Sequence, residues 1–163
     1  MVVSSSRARS FAFDGLSVPV RARASRFRGA SGVAEWHFSL EPARRGSAET
    51  QLDWLRAAYE ECVAAVRLAP ETAVFRRFFC SDPVNQAPAL DACPLSSRAR
   101  PDTPCAVSWV GQPPAPPARL ALWACHVDDP EEDLDKEWDG ATLALRRDGL
   151  THYWTVGATS PGG

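Results

Sequence analysis

Between residues 32 and 127 the spacing of apolar positions switches from two, to between three and four, and back to two. In Gly32–Leu40 (GVAEWHFSL), Ala34, Trp36, Phe38 and Leu40 fall on one face and Val33, Glu35, His37 and Ser39 on the other, the alternation of a half-buried strand. Across 51–68 (QLDWLRAAYEECVAAVRL), Leu52, Leu55, Tyr59, Cys62 and Val66 recur at i, i+3, i+7, i+10 and i+14. That lays one apolar stripe along a helix, with Arg56, Glu60, Glu61 and Arg67 largely outside it. Ser47 is placed to cap this helix, Glu49 suits its first turn, and Pro70 stops it. Thr72–Cys80 returns to a strand pattern in which Arg76 and Arg77 point to opposite faces. The apolar face of the first strand should meet the helix, leaving Glu35 and His37 on the opposite side.

Ser81-Asp82-Pro83 closes that strand, 84–92 holds a short helix or turn, and 94–104 is a loop with Pro94, Pro101 and Pro104. Two strands then follow, paired across a Pro-dense link. Cys105, Val107, Trp109 and Gly111 oppose Ala106, Ser108 and Val110; Leu120, Leu122, Ala124 and His126 oppose Arg119, Ala121, Trp123, Cys125 and Val127. Apolar on both faces, these strands suit a sheet centre or a subunit interface. Upstream, 11–20 and 21–27 read as edge strands around a turn, and 1–10 as a disordered start. Downstream, 142–147 and 150–156 flank Asp148-Gly149, a strong hairpin signal. The class is α+β.

Composition narrows the function. At 163 residues there is room for one domain, or one domain and the beginning of another. A net charge of −2 gives no overall argument for nucleic acid or a membrane as partner. Arginines crowd the first 50 residues and acids crowd 128–139 (DDPEEDLDKEWD), both read as solvated surface. Lys136 is the only lysine, a bias ascribed to genome composition. Five cysteines without CxxC spacing point to reduced thiols and no zinc site, and no cofactor is implied. Neither a signal-peptide core nor a transmembrane-length run occurs, so a cytoplasmic location is expected.

Taken in succession, QLDWLRAAYEECVAAV, TAVFRRFFCSDPVNQ, PCAVSWVGQPP and ARLALWACHV resemble the Rid (YjgF/UK114, endoribonuclease L-PSP-like) superfamily over roughly residues 32–127. The resemblance implies a chorismate mutase-like fold, a mixed sheet backed by two helices, over 11–128. It also implies a homotrimer with ligand clefts between subunits. Residues 129–163 then form an acidic linker and β-hairpin. The closing stretch GLTHYWTVGATSPGG looks like the opening of a second Rid-like domain, a layout similar to the tandem chorismatases. Family enzymes that hydrolyse enamines and imines clamp the substrate carboxylate with an Arg at the start of the penultimate strand. Here that place is Cys105, or Pro104 one residue earlier. The family's water-positioning Glu on the last strand falls near Ala121. Neither side chain can do the job, because a clamp needs a fixed cation and water activation needs a base.

Several residues are candidates for whatever chemistry remains. Cys105 is a cleft nucleophile or a packed core thiol, the commoner role. Glu35 and His37 form a possible acid/base pair, against an ordinary strand histidine. Arg76 or Arg77 would restore the missing positive charge if one pointed into the cleft. Asn85 is a cleft donor or a helix cap, and Trp109 belongs to a core, an interface or an aromatic ligand box. The leading expectation is a small-molecule-binding domain with a degenerate deaminase site, its ligand a small aromatic carboxylate. A chorismatase-like hydrolase and a purely structural domain are the alternatives.

Overall fold

Strand alternation builds the larger of two sheets from β1 (Arg7–Phe13), β2 (Val20–Arg28), β3 (Ala34–Pro42), β4 (Ala73–Cys80), β5 (Ala106–Val110) and β6 (Leu120–Asp128). The computed structural model describes residues 7–98, 103–131, 134–147 and 149–156. Strand order is β1-β2-β3-β6-β4-β5, antiparallel throughout except for the parallel β4–β5 pair. Helices α1 (Ala48–Ala65) and α2 (Pro83–Ala92) pack against each other, and α1 lies on β2, β3 and β6. The expected apolar faces point toward them: Ala34, Trp36, Phe38 and Leu40 of β3 and Leu120, Leu122 and Ala124 of β6 are all buried in one cluster with Leu52, Leu55, Tyr59 and Cys62 of α1.

Both ends of α1 have a local cause. The Ser47 hydroxyl accepts from the Thr50 backbone N–H at 3.2 Å, satisfying one of the first-turn donors. The helix ends at Ala65 rather than running on to Pro70. Arg67 turns left-handed at φ 59°, its N–H bonding Ala64 O and that of Leu68 bonding Val63 O. Those two bonds are a Schellman closure with arginine where glycine is usual.

Three sequence expectations need correction. Disorder expected for 1–10 does not extend to Arg7–Ser10, which pair with Ser25–Arg28; residues 1–6 lie outside the described residues. The cause is alternation, which seats Phe11 on Trp36 with centroids 5.1 Å apart. The two strands expected to pair across the Pro-dense link are separated by β4: β5 is an edge and β6 the centre. A parallel partner requires a crossover, supplied by α2, and the proline link then carries the chain back past β4. Finally, the acidic stretch contains β7 (Asp135–Trp138), which joins β8 (Thr142–Arg147) and β9 (Leu150–Thr155) in a three-stranded sheet. The expected hairpin is the β8–β9 pair.

This small sheet covers part of the face that the helices leave open. Leu143 and Leu145 of β8 bury with Val74, Phe75, Ala106, Cys125 and Val127, while Trp138 and Trp154 pack at the margin. Two polar clamps pin it. Arg147 pairs with Asp129 at 2.5 Å, the carboxylate side chain only 1% exposed. The ammonium of Lys136 donates to three backbone carbonyls: Glu71 O, Ala73 O at 2.9 Å and Pro104 O at 2.9 Å. Three converging acceptors suit a compact ammonium with three N–H donors; a flat guanidinium cannot meet them from one point. The chain's one lysine therefore stands where arginine would fail. Lys136→Met and Lys136→Arg should each cost about 1–3 kcal/mol in urea unfolding, the penalty of stranding such carbonyls. A Lys136→Arg protein as stable as the wild type would contradict this role.

Candidate functional site

Register assigns the rest of the open face. Arg23, Ser39, Trp123, Arg77 and Ser108 are successive cross-strand partners on β2, β3, β6, β4 and β5, so they form one row on the side away from the helices. The next row is Ser25, His37, Cys125, Phe75 and Ala106. The small sheet buries the last three of these and stops at Trp123, which stays half-buried.

A cavity of about 340 Å³ lies there, lined by Ser10, Phe11, Arg23, Ala24, Ser25, His37, Ser39 and Trp123. A larger hollow of about 650 Å³ shares Arg23 and Ser39 and runs on to the β1–β2 turn, past the Arg21–Glu41 ion pair at 3.2 Å. His37 stacks on Trp123, centroids 5.6 Å apart and planes 12° from parallel. Its Nε2 is 3.9 Å from a Glu35 carboxylate oxygen, a loose pair on exposed side chains. Arg77 donates from Nε to Ser108 Oγ at 3.2 Å, its guanidinium 5.1 Å from the Phe75 ring centre. The row thus combines an aromatic face, hydroxyls and two guanidiniums, a recognition set for a flat anion.

The other candidates lie elsewhere. Arg76 is 1% exposed on the helix side, its guanidinium 5.2 Å from the Tyr59 ring and within 3.5 Å of Leu95 O and Thr103 Oγ1. Cys105 is fully buried, its Sγ 3.5 Å from Ala106 O. Trp109 donates to Ser96 O at 2.8 Å and carries the Arg98 guanidinium 3.9 Å from its ring centre. Asn85 is not itself the cap: Asp82 caps α2, and the Asn85 N–H and side-chain amide donate to its two carboxylate oxygens, at 3.1 and 2.5 Å. Glu35, His37 and Arg77 therefore share the open face, whereas Arg76, Cys105, Asn85 and Trp109 do not. Trp123, Arg23, Ser25 and Ser39 escaped the sequence reading. Alternation grouped Ser39 with His37 and Trp123 opposite the leucines of its strand and gave no face to Arg23 or Ser25; only the strand order makes the four neighbours.

Beneath the helices, sequence had seated His126 among leucines, and it is fully buried there. It also closes a hydrogen-bond chain. Thr72 Oγ1 donates its single proton to Ala69 O at 2.7 Å, so toward His126 Nδ1, at 2.8 Å, it can only accept. Nδ1 therefore carries the ring proton and Nε2 accepts from the Tyr59 hydroxyl at 2.7 Å. Burial pushes His126 down to about 3, with the charges of Arg76 and Lys136 adding to it. Burial likewise pushes the Cys125 thiol up to about 12, with Glu35 and Cys105 adding, and the Cys62 and Cys80 thiols to about 12 and 11. Such thiols stay protonated and are poor nucleophiles.

No protein-family model, curated protein or solved structure matches the chain.

The histidine makes a pH test. Between the ordinary value of 6.5 and about 3, an unfolded chain holds a proton on residue 126 that the folded chain refuses. Stability from this group is complete above pH 6.5 and is lost as pH falls toward 3, with a slope of at most about 1.4 kcal/mol per pH unit. Urea midpoints between pH 7 and 4 should show a shallower acid slope in His126→Gln than in the wild type. Equal slopes would place the titration elsewhere.

Proposed function

We propose that the chain is a Rid-like small-molecule-binding domain whose enamine/imine deaminase site is degenerate and whose cleft is completed at a subunit or domain interface. The α+β layout supports this reading, with two helices on one face of a mixed sheet and the other face half open. So do the positions of the two side chains that would define the family's chemistry. The clamp position, Cys105, is sealed in the core, and Ala121 has no basic atom to offer a water. In this reading a homotrimer, or a pseudo-trimer with a second Rid-like domain opened by the β8–β9 hairpin, covers the uncovered rows.

The observation that carries the ligand class is the Trp123 row. An indole face lies between Arg77 and, across Ser39, Arg23, while His37 stacks beside it. A small aromatic carboxylate would stack on the ring and pair with a guanidinium, the strong bidentate arrangement. The same pairing of ring and cation favours, as second reading, a share in a chorismatase-like hydrolase.

Benzoate and chorismate titrated into the whole chain should perturb the Trp123 and His37 resonances saturably. Arg23→Gln, an exposed change, should weaken binding about tenfold, equivalent to about 1.4 kcal/mol. Chorismate consumed by the wild type but not by Trp123→Ala would support the hydrolase. A wild-type chain that responds to neither compound would overturn both readings and leave a structural domain.

A further inference from the structure

The β1–β2 hairpin carries charge in an arrangement that costs stability unless something answers it. Residues 7–28 hold six arginines and a single acid, Asp14, in a chain whose net charge is −2. Register sets Arg9 directly opposite Arg26, and residue 7, also arginine, directly opposite Arg28. Positions two apart on a strand share a face, so Arg9, Arg26 and Arg28 project to the side on which Trp36 lies. Partners across an antiparallel pair are roughly 5 Å apart and their neighbours along the strand about 7 Å; like charges so placed repel.

The protein offers these side chains little relief. Among the described residues, no carboxylate lies within ion-pair distance of Arg9, Arg26 or Arg28, while Arg21, on the opposite face of β2, is paired with Glu41 at 3.2 Å. On α1, which packs over β2, Glu60 is engaged by Arg56 and Glu61 by Ser17. Arg28 spends its Nε on Gly32 O at 2.7 Å. The Arg26 guanidinium sits 5.3 Å from the centre of the Trp36 ring, and here two donors are orphaned together: Arg26 Nε and Trp36 Nε1 are both buried without a hydrogen-bond acceptor. Buried polar atoms almost always find partners, so adjacent orphans of one polarity beside an arginine array indicate recognition of an acceptor.

We propose that this face of the hairpin, built from Arg9, Arg26, Arg28 and Trp36, binds a phosphate monoester. A carboxylate has two coplanar oxygens and is satisfied by one guanidinium. A phosphate monoester dianion presents three oxygens around a tetrahedron and can bridge guanidiniums on both strands, which the cross-strand pairing requires. The site lies on the helix-side face, whereas the Trp123 row is on the other, so the two proposals stand or fall separately.

The test uses the whole chain labelled with ¹⁵N and the Trp36 indole resonance, assigned through Trp36→Phe. At fixed ionic strength, inorganic phosphate should shift that resonance saturably, and Arg9→Gln, at an exposed position, should weaken the effect at least tenfold, as should Arg26→Gln. Phosphatidic acid in phosphatidylcholine vesicles distinguishes the source. Sedimentation of the wild type but not of Arg9→Gln assigns the monoester to a lipid headgroup, and no sedimentation beside a phosphate response assigns it to a soluble ester. Equal shifts with chloride or acetate, or an Arg9→Gln protein that responds like the wild type, would overturn the proposal.

Discussion

Strand β6 must be buried on both faces, and the described residues cover the second only in part. Leu120, Leu122, Ala124 and His126 point one way and Trp123, Cys125 and Val127 the other. Pairing with both β3 and β4 puts β6 at the sheet centre, so each face needs a layer. The two helices complete the first. The second is the three-stranded sheet, which reaches Phe75, Cys125 and Val127 and ends at Trp123. What remains is a half-covered sheet face, apolar at its centre and cationic at its sides, and the proposed ligand cleft follows from that shortfall.

Much of this was legible beforehand. Alternation in 32–40 and 120–127 separated the two faces of β3 from Ala34 to Leu40 and of β6 from Leu120 to Val127 as the fold has them, because a strand buried on one side tolerates no slip of register. Ser47 as cap and the stripe from Leu52 to Cys62 were equally local signals. Long-range features were not. That β5 lies beyond β4 depends on the parallel crossover, and no pattern in AVSWV reports it. The site suffered for the same reason: alternation sets His37 on the open face and Arg76 and Arg77 on opposite faces without choosing between them, and the side chain between the strands of His37 and Arg77, Trp123, becomes their partner only once strand order is known.

Charge is the other lesson. An arginine-rich start, an acidic run and a single lysine all resemble bias when read along the chain. In three dimensions they differ sharply. Lys136 is partly buried with each proton committed to a carbonyl, and Asp129 of the acidic run is sealed against Arg147. The hairpin arginines, by contrast, are stacked against one another by register. Position relative to backbone acceptors and to other charges decides which of them hold the fold together and which are offered outward.

The central claim is that the uncovered rows around Trp123 are a working surface completed by another subunit or domain rather than a solvated sheet face. Light scattering of the whole chain, wild type beside Trp123→Glu, tests it most directly. The account predicts an assembly with the mass of three chains for the wild type and a folded monomer for the variant, its circular dichroism unchanged. A wild-type chain that remains monomeric at every concentration, with no second domain supplied by a longer form of the protein, would contradict it.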